Sequence, residues 1–272
     1  MLILIWLLSN QIVLILRKLI SITLSLFVFC FVFTSFCCAK DYYSLSNTRK
    51  SPQNKSDTTY VNEVDSCLQS KLNANGKRML QIYLIRHAKP NLKKESFYTS
   101  SEAQQYIHDY NSVSITPFDP CLVKVNLKAN HIIYCSNLRR AQETALAIFG
   151  DKYPVVSDTV FREFEIRIIE ANSILKLPLG IWQAFSRGSW LLGFNHKGIE
   201  SYKQAKQRAR FAVDNLIKVA NVEETAVLLA HGMLNRSIEK ELSKRGWKVV
   251  QKRGQINLGA SILTKIVPLK EQ

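Results

Sequence analysis

The sequence predicts an α/β fold, a three-layer αβα sandwich with a mostly parallel central sheet and a helical cap built from insertions. Three observations carry that expectation. Apolar, β-branched runs recur along the chain as "QIYLI", "HIIYC", "PVVSDTV", "AVLLA" and "ASILTKIV", and several are too uniformly apolar for a sheet with one wet face. Helical patterns separate them, which implies parallel strands joined by crossovers. Two long segments, residues 88–130 and 161–200, fall outside the alternation. A compact domain does not hold bare loops of that length, so each is expected to carry its own helices.

Residues 1–39 contain no acidic residue and only Arg17 and Lys18 as charges, set between two apolar stretches. The second stretch, residues 19–39, has about the length of a membrane span. The basic pair, the apolar core and "CCA" before Lys40 equally match an export signal with a cleavage site. A signal peptide and an N-terminal membrane anchor therefore both stand. Either keeps Arg17 and Lys18 on the cytoplasmic side, so the body is expected to be exported: periplasmic or otherwise extracytoplasmic, soluble or anchored to the inner membrane. Residues 40–78, with "NTRKSPQNKSDTT", read as a polar linker. Residues 79–272 then form one domain, and 47% hydrophobic content supplies its core.

Within that domain "SSEAQQYIHDYNSV" predicts a helix capped by Ser100 or Ser101. "NLRRAQETALAIFG" puts Leu138, Ala141, Ala145 and Ile148 on one stripe, begins after an N-cap candidate at Ser136 and ends at Gly150. "ILKLPLGIWQAFSRGSWLLGF" is apolar and aromatic and predicts a lid, with Trp182, Phe185, Trp190 and Phe194 as its core in preference to a substrate lining. "SYKQAKQRARFAVDNLIKVA" repeats Tyr202, Ala205, Ala209, Ala212, Leu216 and Val219 at helical spacing, behind an N-cap candidate at Ser201. "MLNRSIEKELSKRG" stacks Leu234, Ile238 and Leu242 and stops at Gly246.

The chain carries 37 Lys and Arg against 21 Asp and Glu, a net charge of +16. That balance attracts anions, including phosphorylated substrates and acidic membrane surfaces. The cations are scattered and not interleaved with aromatics, which disfavours a nucleic-acid partner. Of six cysteines, Cys67, Cys121 and Cys135 lie beyond the leader, so at most one internal disulfide is possible; Cys135 reads as a core residue. No Cys/His spacing suggests a metal, and no cofactor is implied.

Two histidines sit at predicted strand ends, His87 after "IYLI" and His231 after "AVLLA". The carboxyl ends of parallel strands form the ligand crevice, so both imidazoles can converge there although 144 residues separate them. Arg86 accompanies His87. Arg140 falls in the first turn of a helix whose N-terminus already favours an anion. Guanidinium groups match phosphate oxygens, and a neutral imidazole is a competent nucleophile toward phosphorus. Developing charge on a transferring phosphoryl group would then meet preplaced cations without a metal. A carboxyl must protonate the leaving alcohol, and "FREFEI" supplies Glu163 and Glu165. Taken singly, each residue also has an ordinary reading as a strand end, a turn or a solvated helix charge.

The ordered set is more specific. "LIRHAKP", "SNLRRAQETA", "FREFE" and "LLAHG" in this order resemble the histidine phosphatase superfamily, also called phosphoglycerate mutase-like, and in particular a bacterial phosphatase-like branch of it. The resemblance runs over about residues 81–268. It implies that His87 is the nucleophile that becomes phosphohistidine, that Arg86, Arg140 and His231 hold the phosphoryl oxygens, and that Glu163 is the proton donor with Glu165 as fallback. Ser136 and Thr144 match positions that shape the turn and helix. Two positions depart from the family pattern: Ala88 stands where Gly is usual, tolerable if its backbone is not left-handed, and Glu143 stands where Gln is frequent, expected as an i,i+4 partner of Arg139.

The activity implied is a metal-independent phosphomonoester hydrolase acting on a small-molecule phosphomonoester, with an amphiphilic phosphate as the narrower expectation. A membrane-tethered domain that binds phosphorylated ligands without turnover, and a mutase-type phosphotransferase, are the alternatives. The membrane is a partner through the N-terminal segment if that segment is uncleaved, and the sequence leaves the oligomeric state open.

Overall fold

The computed structural model describes residues 59–60, 66–125, 127–172, 174–253 and 256–269. The expectations for residues 1–39 lie outside the described residues. Among those described, no helix is long and apolar enough to cross a membrane.

In chain order the strands are β1 (Thr59–Tyr60), β2 (Lys77–Arg86), β3 (Val123–Lys124), β4 (Ile133–Ser136), β5 (Val155–Asp158), β6 (Thr225–Ala230), β7 (Lys248–Lys252) and β8 (Ala260–Pro268). The helices are α1 (Ser66–Ala74), α2 (Ser100–Ser112), α3 (Arg139–Phe149), α4 (Leu179–Leu191), α5 (Tyr202–Glu223) and α6 (Gly232–Lys244). Six strands make one sheet in the order β5-β4-β6-β2-β8-β7. The first four in that order run parallel; β8 pairs antiparallel with β2, and β7 antiparallel with β8. β1 and β3 form a separate parallel pair.

The layers follow from strand alternation. On β2, Leu80, Ile82 and Leu84 face one side and pack with Ala226 and Leu228 of β6 under α5 and α6. Tyr83 and Ile85 face the other side and pack with Val227, Leu229, Ile133 and Cys135 under Ala141, Ala145 and Phe149 of α3. Both faces of the central strands are thus dry, which is why those strands read as nearly continuous apolar runs. Cys135 is a free, fully buried core residue, as expected.

The two insertions carry α2 and α4, which pack together over a small core of their own formed by Tyr98, Ile107, Ile168, Leu179 and Trp182. This is the expected helical cap. Its aromatics divide: Trp182 and Trp190 are buried, whereas Phe185 and Phe194 are exposed. The α2 cap is Thr99, one residue before the two serines expected, because Thr99 lies three residues before Glu102 and the pair closes a reciprocal capping box. Ser136 is likewise no N-cap. α3 starts at Arg139 behind Leu138 without a side-chain cap, and the buried Ser136 hydroxyl accepts from the Leu138 amide instead. Ser201 caps α5 through a capping box with Gln204, as its sequence suggested. β1 and α1 lie inside the stretch expected as linker; a two-residue strand held by backbone hydrogen bonds has no apolar signature.

Candidate active site

The strand register sets the site. Arg86 stands opposite Ala230 at the carboxyl ends of the parallel strands β2 and β6, and the His87 amide extends the ladder to the Ala230 carbonyl at 3.0 Å. His87 and His231 therefore leave adjacent strands side by side, with ring centroids 5.0 Å apart. Both are buried, at 2% and 0% exposure.

His87 Nδ1 lies 2.7 Å from the Ala88 carbonyl, which can only accept, so Nδ1 carries the ring proton. Arg140 Nε lies 3.3 Å from Nε2 and can only donate. Both neighbours thus select the same neutral tautomer, with the Nε2 lone pair turned toward Arg140. Burial first, then the charge of Arg140, and against them the hydrogen bond to Ala88, leave the His87 pKa at about 3. His231 is held well below the usual imidazole range, by burial first and then by Arg140, His87 and Arg86.

Arg140 is anchored at its far end. Its Nη1 donates to the Tyr110 carbonyl at 2.9 Å and to Asn111 Oδ1 at 3.1 Å, and the guanidinium lies 4.7 Å from the Tyr110 ring centroid. One turn along α3 the Thr144 hydroxyl donates to the Arg140 carbonyl at 2.6 Å and accepts from the Ala88 amide at 3.0 Å. That hydroxyl joins the backbone next to His87 to the helix that carries Arg140. Ala88 is not among the described positive-φ residues, so its methyl sits in ordinary backbone with no left-handed strain. Glu143 pairs with Arg139 at 2.6 Å as expected, and its other oxygen also accepts from Ser114 and the Ile115 amide, tying down the chain that follows α2.

Arg86 places its guanidinium against the first turn of α6, where a Cβ on Gly232 would stand 3.6 Å from Arg86 Cζ. Glu163 reaches the same helix end. Its Oε1 accepts from the Phe164 amide and the Leu234 amide, both at 3.0 Å, and its Oε2 from the Met233 amide at 3.2 Å. α6 has no side-chain cap from His231, so the Glu163 carboxylate supplies one from a distant loop. The Glu165 carboxylate lies 3.8 Å from Arg162.

Sequence reasoning missed the two arginines that hold this loop. Arg208 of α5 donates to the Val160 and Arg162 carbonyls, at 3.0 and 2.6 Å, and binds the Glu200 carboxylate through Nε and Nη2. Arg187 of α4 donates to the Phe164 and Glu165 carbonyls, each at 2.5 Å. A cation in a basic helix, or alone in an apolar one, carries no sign of such partners.

Arg86, Arg140, Glu163 and Glu165 line a pocket of about 340 Å³ that extends to Tyr110 and to Arg187 of the cap. His87 and His231 are not part of that lining, but His87 Nε2 lies 3.3 Å from Arg140, which is. Neither ring nitrogen of His231 has a hydrogen-bond partner among the described residues, although the side chain is fully buried. The site residues expected from sequence are thus gathered at the carboxyl ends of the parallel strands. Among the described residues, no group of three or more His, Cys, Asp or Glu is arranged to hold a metal ion.

The sequence model of the histidine phosphatase superfamily (branch 1) matches residues 82–265. The chain belongs to that superfamily. Histidine phosphatase membership supports phosphatase or mutase chemistry. Solved structures similar to this chain include a mycobacterial glucosyl-3-phosphoglycerate phosphatase, at 18% identity over 69% of this chain and 91% of that one, with a TM-score of 0.40. Another is the phosphoserine phosphatase of Entamoeba histolytica in complex with 3-phosphoglyceric acid, at 20% identity over 67% and 89% with a TM-score of 0.38. None of the curated proteins compared with the chain matches it.

Proposed function

We propose that the protein is a phosphomonoester hydrolase that works through a phosphohistidine on His87. The observation that carries this reading is the His87 tautomer: Nδ1–H bound to the Ala88 carbonyl, with the Nε2 lone pair facing Arg140. A neutral imidazole oriented in this way is prepared for attack, and cations beside it compensate charge on a phosphoryl group.

In the first half-reaction Arg140 Nε turns from Nε2 to a phosphoryl oxygen, Nε2 attacks phosphorus in line, and the bond to the leaving oxygen breaks. Arg86, Arg140 and His231 hold the equatorial oxygens; the unpartnered His231 ring supports that role, since a buried polar group without a partner is costly. Glu163 protonates the leaving oxygen. Oε1 already accepts two hydrogen bonds and Oε2 one, so the transferable proton belongs on Oε2. In the second half-reaction Glu163 takes a proton from water, water attacks phosphorus, and the P–N bond breaks to release inorganic phosphate and restore His87. The charge pattern of residues 1–39 supports an extracytoplasmic location for this activity.

The test is hydrolysis of an aryl phosphate by the full chain beside a His87→Ala variant, with acid-labile phosphate trapped on the protein. Turnover and trapped phosphate in the wild type alone are expected. Equal turnover by the two proteins would remove the reading, and isomerised phosphoglycerate without phosphate release would make the protein a mutase.

A further inference from the structure

The cap helix α4 is apolar on two faces. Leu179, Trp182 and Trp190 turn inward and are at most 3% exposed. Ile181, Phe185 and Leu192 recur at i, i+4 and i+11 on the outer side and are 41%, 37% and 73% exposed. The chain on either side continues the theme, with Ile174 at 84% and Phe194 at 80%. A surface helix ordinarily turns polar residues outward, and a helix apolar all round is normally covered by something.

Charge says what covers it. Residues 171–199 contain no Asp or Glu; Lys176 and Lys197 are their exposed cations, while Arg187 turns inward to the pocket. Apolar side chains with cations and no carboxylate are the composition of a segment that lies in the interface of an anionic bilayer. A second copy of this chain would bring the same cations and another net charge of +16 against them.

We infer that the outer face of the cap, from Ile174 to Phe194, docks on an anionic membrane surface and opens the pocket toward it, so that the substrate is a phosphomonoester of a membrane amphiphile. The same helix links the two sides: Leu179, Gln183 and Arg187 line the phosphate pocket while Ile181, Phe185 and Leu192 face outward. A lipid phosphate held at the interface therefore has its headgroup next to the pocket and its chains on the apolar face. The substrate assignment rests on the hydrolase reading; the docking does not.

Hydrogen–deuterium exchange tests the docking on the full chain, mixed with phosphatidylcholine vesicles that contain or lack phosphatidylglycerol. Slower exchange is expected across residues 174–194 with the anionic vesicles only, and none around Val222 at the far end of α5. An Ile181→Ser, Phe185→Ser, Leu192→Ser variant is expected to lose that protection. A Lys176→Glu, Lys197→Glu variant, which leaves the apolar face intact, is expected to weaken it. Three results would overturn the docking: unchanged exchange in residues 174–194 with anionic vesicles, protection that grows with protein concentration without lipid, or lipid-independent protection that vanishes when residues 1–58 are removed. The last two would assign the face to a second copy or to the chain's own N-terminal segment.

For the substrate, release of phosphate from vesicle-borne phosphatidic acid is compared with release from soluble aryl phosphate. The triple serine variant is expected to fall about tenfold or more on vesicles and to stay within about twofold on the aryl ester. A wild type active on the aryl ester but not on vesicles would remove the lipid substrate and leave the hydrolase reading intact. No release from either, with no phosphohistidine, would remove the hydrolase reading, and exchange would still decide the docking.

Discussion

His87 is one of two buried histidines through which pH acts on stability. Its pKa is about 3 in the folded chain against an ordinary value of 6.5, with burial the leading cause. Between those values the unfolded chain binds more protons than the folded one, so stability is lost as pH falls through that window, by up to about 1.4 kcal/mol per pH unit for this group. Urea unfolding at pH 7 and pH 5 should therefore show a His87→Ala variant losing about 2 kcal/mol less than the wild type. Equal losses would mean that His87 titrates near its ordinary value. Arg140 makes a second prediction. Its Nε and Nη1 serve different partners, which the single ammonium of lysine cannot reproduce. Arg140→Lys should lower kcat/KM on an aryl phosphate about a hundredfold, with the fold intact by circular dichroism.

At the scale of elements, the loop after β5 and the start of α6 form one unit through Glu163. Glu163→Gln removes the transferable proton and should abolish most turnover; it keeps Oε1 as an acceptor for two amides and loses the bond from the Met233 amide, so it should cost less stability than removing the carboxyl group altogether. Glu163→Ala removes the cap as well and should cost about 1 kcal/mol in addition. Equal thermal midpoints for the two variants would show that the cap contributes nothing. The motifs of this unit were legible in sequence because the chemistry clusters at strand ends, next to uninterrupted apolar runs such as "AVLLA". What positions it was not legible. Arg208 and Arg187 meet backbone carbonyls as far as 48 residues away, and a carbonyl has no residue identity to read. The caps of α2 and α3 failed for a local reason: "YTSSE" offers three adjacent hydroxyls, and only the spacing to Glu102 selects Thr99.

For the whole molecule, the net charge of +16 sets a field that draws anions to the sheet edge where Arg86 and Arg140 stand. Raising salt should reduce kcat/KM for an anionic ester several-fold while kcat changes little, because screening acts on encounter. A salt-independent kcat/KM would confine the electrostatics to the pocket. The fold class followed from the alternation of strands and helices, and the cap from the length of its two insertions. The division of the cap's aromatics did not follow, since Trp182 and Phe185 occupy different faces of one helix and composition does not record which face is covered.

The pairing of β2 with β6 brings His87 and His231 together across 144 residues of intervening chain. Such a contact closes a long loop, and non-local parallel pairing is among the slower events in folding. Recovery of turnover after dilution from denaturant should then lag behind recovery of helical signal, because α3, α5 and α6 can form their turns before these two strands meet. The chemistry of this protein is in that sense a clock for the last stage of its own assembly.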